Sequence, residues 1–244
     1  MAEIQHLDQA PIKEALIDIR VSSSVAASEL DKEHQNFSDE YPTREVIHHS
    51  KFGWKIAPGN EVSSTVDQQL IGYKYVSTDK KYVVQFRTDG FTFSRLDPYE
   101  NWETMRDTAI RFWGIYCSIA KPEAISRIAV RYVNALNIPQ GHIELEDYLV
   151  SPPSVPPGLP QGVSNFLSRI TINEHESGMS CHITQNLESV GSELVTIVLD
   201  IDAFINANYD VESQELWSDF EKLHDFKNEA FFKSITEKTV ELFK

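Results

Sequence analysis

Three arginines have the residue type and the position to bind an anion. Arg87 lies in a predicted strand over 82–88, and Arg127 and Arg131 lie in another over 127–138, all on the less apolar side. A guanidinium can donate two parallel hydrogen bonds to a carboxylate or phosphate, which an ammonium does less well. The alternative is that abundant Asp and Glu residues pair with these arginines across strands. Both interpretations stay open at this point.

The motifs of common enzyme classes do not occur. The sequence contains no G-x-x-x-x-G-K-[ST], G-x-G-x-x-G, G-x-S-x-G, H-E-x-x-H or C-x-x-C. Each of these supplies the backbone approach, metal geometry or activated nucleophile that its chemistry requires. Cys117 lies in a strongly apolar helical segment, which favours a core residue over a thiolate nucleophile. We therefore predict no catalytic residue and no cofactor.

Two clusters could in principle hold a metal ion. Asp200 and Asp202 would lie on the same side of a strand end and could coordinate Mg²⁺. The alternative, which we favour, is that Asp202 begins a turn or caps a short helix. His48 and His49 are adjacent and would point to opposite faces of a strand, which does not suit zinc. We predict no metal site.

Composition restricts the partners and the compartment. The 244 residues carry a formal charge of -15, which repels nucleic-acid backbones and anionic membrane surfaces and favours a basic partner. Two cysteines without a disulfide spacing favour a reducing compartment. The beginning of the sequence resembles no signal peptide, and no segment is apolar enough to span a membrane. We therefore expect a cytoplasmic protein.

Hydrophobic periodicity predicts an α+β fold. Residues 14–21 alternate as a strand, and a short helix is predicted around 25–37. Strands over 82–88 and 91–96 flank Asp89-Gly90, a dipeptide typical of tight hairpin turns. That turn would pair Phe86 with Phe93. A long helix is predicted over 98–120, capped by Asp97 and packed on the aromatic face of the hairpin.

A proline-rich segment at 151–162, SPPSVPPGLPQG, divides the chain into an N-terminal α+β half, 1–150, and a C-terminal half, 163–244. The C-terminal half is predicted to be a strand meander followed by two helices, the second beginning at Phe226 or Asn228. The segment is either an interdomain linker or a stiff crossing within one continuous domain. Strand character on both sides favours the crossing. The fold prediction is thus antiparallel sheet with a long packed helix after the central hairpin and a helical C-terminus.

Several stretches spread over nearly the whole chain resemble one family. They are PIKEALIDIR, GYKYVSTDKKYVVQFRTDGFTFSRLDPYENWE, RYVNALNIP, LEDYL before the proline-rich segment, LDID and AFFKSIT. This set resembles a sporadically distributed family of uncharacterised bacterial and archaeal proteins of about this length. The resemblance implies no catalytic residues. The patchy distribution of the family is like that of accessory genes such as defence and toxin–antitoxin loci.

Two functions are consistent with these features. The first is a non-enzymatic cytoplasmic interaction module, of antitoxin, immunity or chaperone type, whose acidic surface binds a basic protein. The alternative is a protein that binds a small anion, or an enzyme with a non-standard site, using Arg87, Arg127 and Arg131 on the polar face of the sheet. Exposed strand edges would also allow a homodimer.

Overall fold

The fold is built on one large antiparallel sheet. The computed structural model describes residues 1–56, 62–140, 144–191, 193–206, 208–213 and 215–244, with the backbone alone for 52–56 and 62–66. The elements are β1 (Ile12–Ser22), β2 (Thr43–Ile56), β3 (Val62–Val76), β4 (Tyr82–Arg87), β5 (Gly90–Leu96), α1 (Trp102–Ala120), β6 (Ala124–Pro139), β7 (Leu167–Asn173), β8 (Met179–Val190), β9 (Leu194–Ile205), α2 (Glu215–Ser234) and α3 (Glu237–Glu241). The predicted mixed α+β class with antiparallel sheet is confirmed.

The strand order places the two halves of the chain side by side. In the described residues nine strands run in the order β2-β3-β4-β5-β1-β6-β9-β8-β7. β1 and β6 pair at the centre, and each is flanked on its outer side by the last strand of the meander that follows it. Each meander then leads into a long helix. Segment 151–162 thus connects strands of one sheet, while the division into two halves stays a prediction.

One face of the sheet carries the core. Ile17 and Ile19 of β1 are fully buried there, as are Phe86 and Phe93 of the hairpin. Phe93 stacks on Phe112 of α1 with ring centroids 6.2 Å apart. Burying each such side chain contributes about 2 to 3 kcal/mol to folding. The alternation of apolar and polar residues leaves the opposite face to Asp, Arg and Thr side chains.

The hairpin register differs from the prediction. Phe86 pairs with Phe91, not Phe93, because the two-residue turn is formed by Thr88 and Asp89. Gly90 is already part of β5, where a Cβ would lie 2.3 Å from the carbonyl oxygen of Ile19. The glycine is therefore required by the close approach of β1. A shift of two residues preserves the faces, so the aromatic residues still share one side.

The long helix begins later than predicted. Asn101 is its N-cap and accepts a hydrogen bond from the amide of Thr104 at 2.8 Å, so the predicted cap at Asp97 is wrong. Residues 98–101 instead form a connection beside β6, and Tyr99 from this connection contacts Tyr132. The helix ends at Ala120, before Lys121 in the left-handed conformation. Because residues 98–101 lie outside the helix, they line the cavity described below.

Other differences concern single elements. β2 was not predicted, because its polar sequence lacks a clean alternation. Residues 25–37, predicted as a helix, form two short 3-10 turns instead. The two predicted C-terminal helices are joined into α2, which continues through Phe226 and Asn228.

Among the described residues, no helix combines the length and the apolar character needed to cross a bilayer.

Gly72 of β3 tests the close approach of the backbones of β3 and β4. A Cβ there would lie 2.1 Å from the carbonyl oxygen of Phe86, so we expect Gly72→Ala to destabilise the protein by roughly 2 kcal/mol or more. Gly114→Ala is the matched control, because nothing lies within 4 Å of its Cβ position in α1. That substitution should stabilise by up to about 1 kcal/mol. Urea denaturation of both variants measures the difference, and equal effects would contradict the close approach.

Candidate functional site

The sheet brings the three predicted arginines together. Arg87 from β4 and Arg127 and Arg131 from β6 line one hollow of about 470 Å³ on the face opposite the helices. We call this hollow the arginine face. Its other lining residues include Arg20, Arg169, Asp18, Asp202 and His182. Ala129 lies between Arg127 and Arg131 on β6, and its small side chain leaves room between the two guanidinium groups.

Each of the three arginines already has a carboxylate partner. Arg87 donates to Asp18 at 3.1 Å and to Asp89 at 3.1 Å. Arg127 donates to Asp202 at 2.9 Å. Arg131 makes two parallel hydrogen bonds to Asp200, at 2.8 and 2.7 Å. The cross-strand ion pairs considered in the sequence analysis are thus present, and they raise the pKa of Arg131.

Asp18 is the centre of this network. Its side chain is nearly buried and accepts hydrogen bonds from Arg87, from the Thr92 hydroxyl at 2.7 Å and from Arg20 at 3.0 Å. Arg127 lies 3.6 Å away. The protein therefore supplies its own anion at the floor of the arginine face. Binding of a further anion there stays a proposal, and it would use donors that Asp18 leaves free.

A larger cavity lies on the helix side of the sheet, between β6, α2 and the connection before α1. It is open to solvent on one side, and its volume is about 690 Å³. Tyr132 and Asn134, two residues apart on β6, face into it, and α2 contributes His224 and Lys227 from successive turns. Residues 5–12 form a further wall. We call it the lysine cavity.

Lys227 is the unusual residue of this cavity. It is only 5 % exposed, and its ammonium nitrogen lies 3.4 Å from the centroid of the Tyr132 ring. The same nitrogen donates to Asn228 Oδ1 at 2.5 Å. No carboxylate of the described residues forms an ion pair with it. Burial lowers the pKa of Lys227 to about 7, so that a large fraction of the amine is neutral near physiological pH.

Two further pairs of side chains shape the cavity. The hydroxyls of Tyr99 and Tyr132 lie 2.7 Å apart, and burial raises the pKa of Tyr99 to about 12. His224 stacks on Trp102 with ring centroids 4.4 Å apart. Burial, and secondly the charge of Lys227, lower the pKa of His224 to about 3. The cavity therefore holds a neutral imidazole and hydroxyl groups that stay protonated.

No protein-family model and no curated protein matches this chain. Of the two sites, the lysine cavity is the larger, and it combines aromatic side chains with polar groups whose pKa values are strongly shifted. These features are typical of ligand-binding and active sites.

The remaining candidates of the sequence analysis are engaged elsewhere. Asp202 lies within β9, where it pairs with Arg127, so the predicted turn or helix cap at this residue is wrong. In the described part of the chain, no group of three His, Cys, Asp or Glu side chains converges as metal ligands would. Burial raises the pKa values of Cys117 and Cys181 to about 12, which disfavours a thiolate at either position.

Lys227 is not among the site residues predicted from the sequence, although its position in α2 carries a signal. The buried stripe of α2 runs through Leu216, Phe220, Leu223, Lys227 and Ala230 at spacings of three and four. Lys227 thus occupies the position of this stripe between Leu223 and Ala230. A lysine in an apolar stripe predicts a buried amine. The prediction of a helix break near residue 226 concealed this continuity.

Proposed function

We propose that the protein binds a small organic molecule in the lysine cavity and that Lys227 is the group that recognises it. The observation that carries the proposal is a buried amine without a carboxylate partner among the described residues, in a cavity of about 690 Å³. Cavities of roughly 300 to 1,000 Å³ suit ligands of metabolite size. Tyr99, Tyr132 and Asn134 add polar groups that can orient such a molecule.

The energetic cost of this arrangement supports a functional role. A buried amine without an ionic partner destabilises the folded state, as the lowered pKa of Lys227 indicates. An apolar side chain of similar length would fill the same position of the α2 stripe without that cost. Groups whose environment destabilises their charged form concentrate at sites where the group acts on a ligand. The position of Lys227 fits that pattern.

Native mass spectrometry of protein isolated gently from its own cells tests the proposal. We expect a small-molecule adduct on the wild-type chain, and we expect its occupancy to fall strongly in Lys227→Met. Loss of an interaction of about 1.4 kcal/mol corresponds to a tenfold weaker affinity. Lys233→Met is the matched control, because Lys233 is an exposed lysine of the same helix. Its adduct should equal that of the wild type.

Two outcomes would contradict the proposal. One is a wild-type chain that carries no small molecule and gains no thermal stability from a metabolite library. The other is an adduct that persists unchanged in Lys227→Met, which would place the ligand elsewhere. In the second case, combined Ala substitution of Arg127 and Arg131 would test the arginine face as the location.

An interaction module that binds a basic protein in the cytoplasm is a second proposal, favoured by a specific feature of the sheet. β7 is an edge strand, and Leu167 and Ile170 on it are 74 % and 53 % exposed. An edge strand with exposed apolar side chains is a template for pairing with another chain. The formal charge of -15 would favour a basic partner. A stoichiometric basic protein in the same mass spectra would support this second function.

A further inference from the structure

The charges around the lysine cavity restrict the class of its ligand. Four carboxylates line it: Asp8, Asp97, Glu100 and Glu103. Asp97 pairs with Lys13 at 2.8 Å and Glu100 with Arg95 at 2.7 Å. Asp8 lies 3.6 Å from the imidazole of His6, and neither Asp8 nor Glu103 has a lysine or arginine partner among the described residues. Because the whole chain is also acidic, an anionic ligand would be repelled at the entrance.

Inside this acidic lining, Lys227 is suited to act as a nucleophile. A lysine that holds an anion by charge should be protonated, but burial favours the neutral amine of Lys227 and lowers its pKa to about 7. Desolvated lysines of this kind form Schiff bases with carbonyl compounds. The nearby imidazole of His224 is neutral and so adds no competing charge.

The hydroxyl pair provides a partner for a carbonyl oxygen. The hydroxyls of Tyr99 and Tyr132 are hydrogen-bonded to each other, so one proton lies between the two oxygens and the other is free to be donated. The Tyr132 hydroxyl belongs to the ring over which the Lys227 nitrogen lies. A carbonyl group at this position can present its carbon to the amine and its oxygen to the hydroxyl pair.

We propose that Lys227 forms an imine with an aldehyde or ketone that carries no negative charge. This inference rests on the proposed binding function of the lysine cavity. It names the class of the ligand, a neutral or cationic carbonyl compound, and the atom to which the ligand is attached, Lys227 Nζ.

The chemical step balances without an oxidant or a reductant. The nitrogen lone pair attacks the carbonyl carbon and forms the C–N bond, while the electrons of the C=O π bond move to oxygen. A proton passes from nitrogen to that oxygen and gives a carbinolamine. The C–O bond then breaks as the nitrogen lone pair forms C=N, and the oxygen leaves as water after taking up the second amine proton. The net reaction is amine plus carbonyl compound to imine plus water.

Reductive trapping with a neutral probe tests the inference. The full chain is incubated with benzaldehyde and sodium cyanoborohydride at pH 7, and the benzylated lysines are mapped by peptide mass spectrometry. We expect Lys227 to be labelled at least roughly tenfold faster than the exposed Lys222 and Lys233, because a far larger fraction of its amine is neutral. The anionic analogue 4-carboxybenzaldehyde should label Lys227 more slowly than benzaldehyde does.

The outcomes separate this inference from the binding proposal. Equal labelling of all lysines, or an unlabelled Lys227, would overturn imine formation. If the native adduct still depended on Lys227 in that case, the binding function would stand without a covalent step. Tyr99→Phe provides a second measurement, because it should slow the labelling of Lys227 and leave that of Lys233 unchanged. Mapping on the wild-type chain decides the result even if a variant does not fold.

Discussion

Lys227→Met is expected to be more stable than the wild type at pH 6 to 7, by roughly 2 to 4 kcal/mol. The folded-state pKa of about 7 lies well below the ordinary lysine value of 10.5, so folding at neutral pH costs the free energy of removing or burying a proton. Methionine fills a similar volume without that cost. The loss of the contact with the Tyr132 ring offsets part of the gain.

The pH dependence of the free energy of unfolding tests the cost of burying Lys227 independently. Between pH 7 and 10.5 the unfolded chain holds the Lys227 proton and the folded chain does not, so wild-type stability should rise with pH across this window. The contribution of Lys227 is roughly 3 kcal/mol between pH 7 and 9.5. Lys227→Met should lack this contribution, and Lys233→Met should retain it. Urea denaturation at several pH values measures it, and parallel curves for the wild type and Lys227→Met would refute the buried neutral amine.

Asp18→Ala is expected to destabilise the protein by roughly 3 to 5 kcal/mol, since it removes one partner of a buried ion pair. Asp18 is 6 % exposed, and its loss leaves Arg87 and Thr92 without their shared acceptor. Arg20 also loses its contact with Asp18 but keeps Asp89 at 2.7 Å. The buried donors of Arg87 and Thr92 that lose their acceptor account for most of the cost. Thermal and urea denaturation measure it.

A surface pair serves as the control for Asp18. Glu45→Ala removes a cross-strand partner of Lys74 between β2 and β3, and this exposed pair should be worth less than about 1 kcal/mol. Formate at millimolar concentration should restore part of the stability of Asp18→Ala, because it can occupy the place of the missing carboxylate. A small loss in Asp18→Ala, or a lack of response to formate, would contradict the role of Asp18 as the internal anion of the arginine face.

The arginine face shows how far sequence reasoning reached toward a site. Alternation placed Arg87, Arg127 and Arg131 on the polar side of their strands, and the structure brings them into one hollow. The carboxylate partners of these arginines could not be predicted from the sequence. Asp200 and Asp202 lie about seventy residues away along the chain and reach these arginines only because β9 pairs with β6. A side-chain pair across strands depends on strand order and register, which local periodicity does not contain.

The lysine cavity was harder to predict, because four separate segments form it. The sequence contained the exceptions that mark it, Lys227 in the stripe of α2 and Asn134 among the apolar residues of β6. Neither of these two polar residues indicates from the sequence that the other lies nearby. Lys227 reaches the cavity because α2 is one continuous helix. Tyr99 can contact Tyr132 because α1 begins only at Trp102 and leaves Tyr99 outside the helix.

By itself, the sequence determined the α+β class, the faces of most strands and the burial of the aromatic residues, because these follow from local periodicity and turn residues. Only the tertiary structure decided that β1 and β6 meet at the centre of one sheet and that Lys227 lies over Tyr132 without a carboxylate partner in the described residues. The physical reason is that long-range pairing and desolvation depend on which distant segments exclude water together. A residue's own neighbours in the chain specify its local conformation and leave that arrangement open.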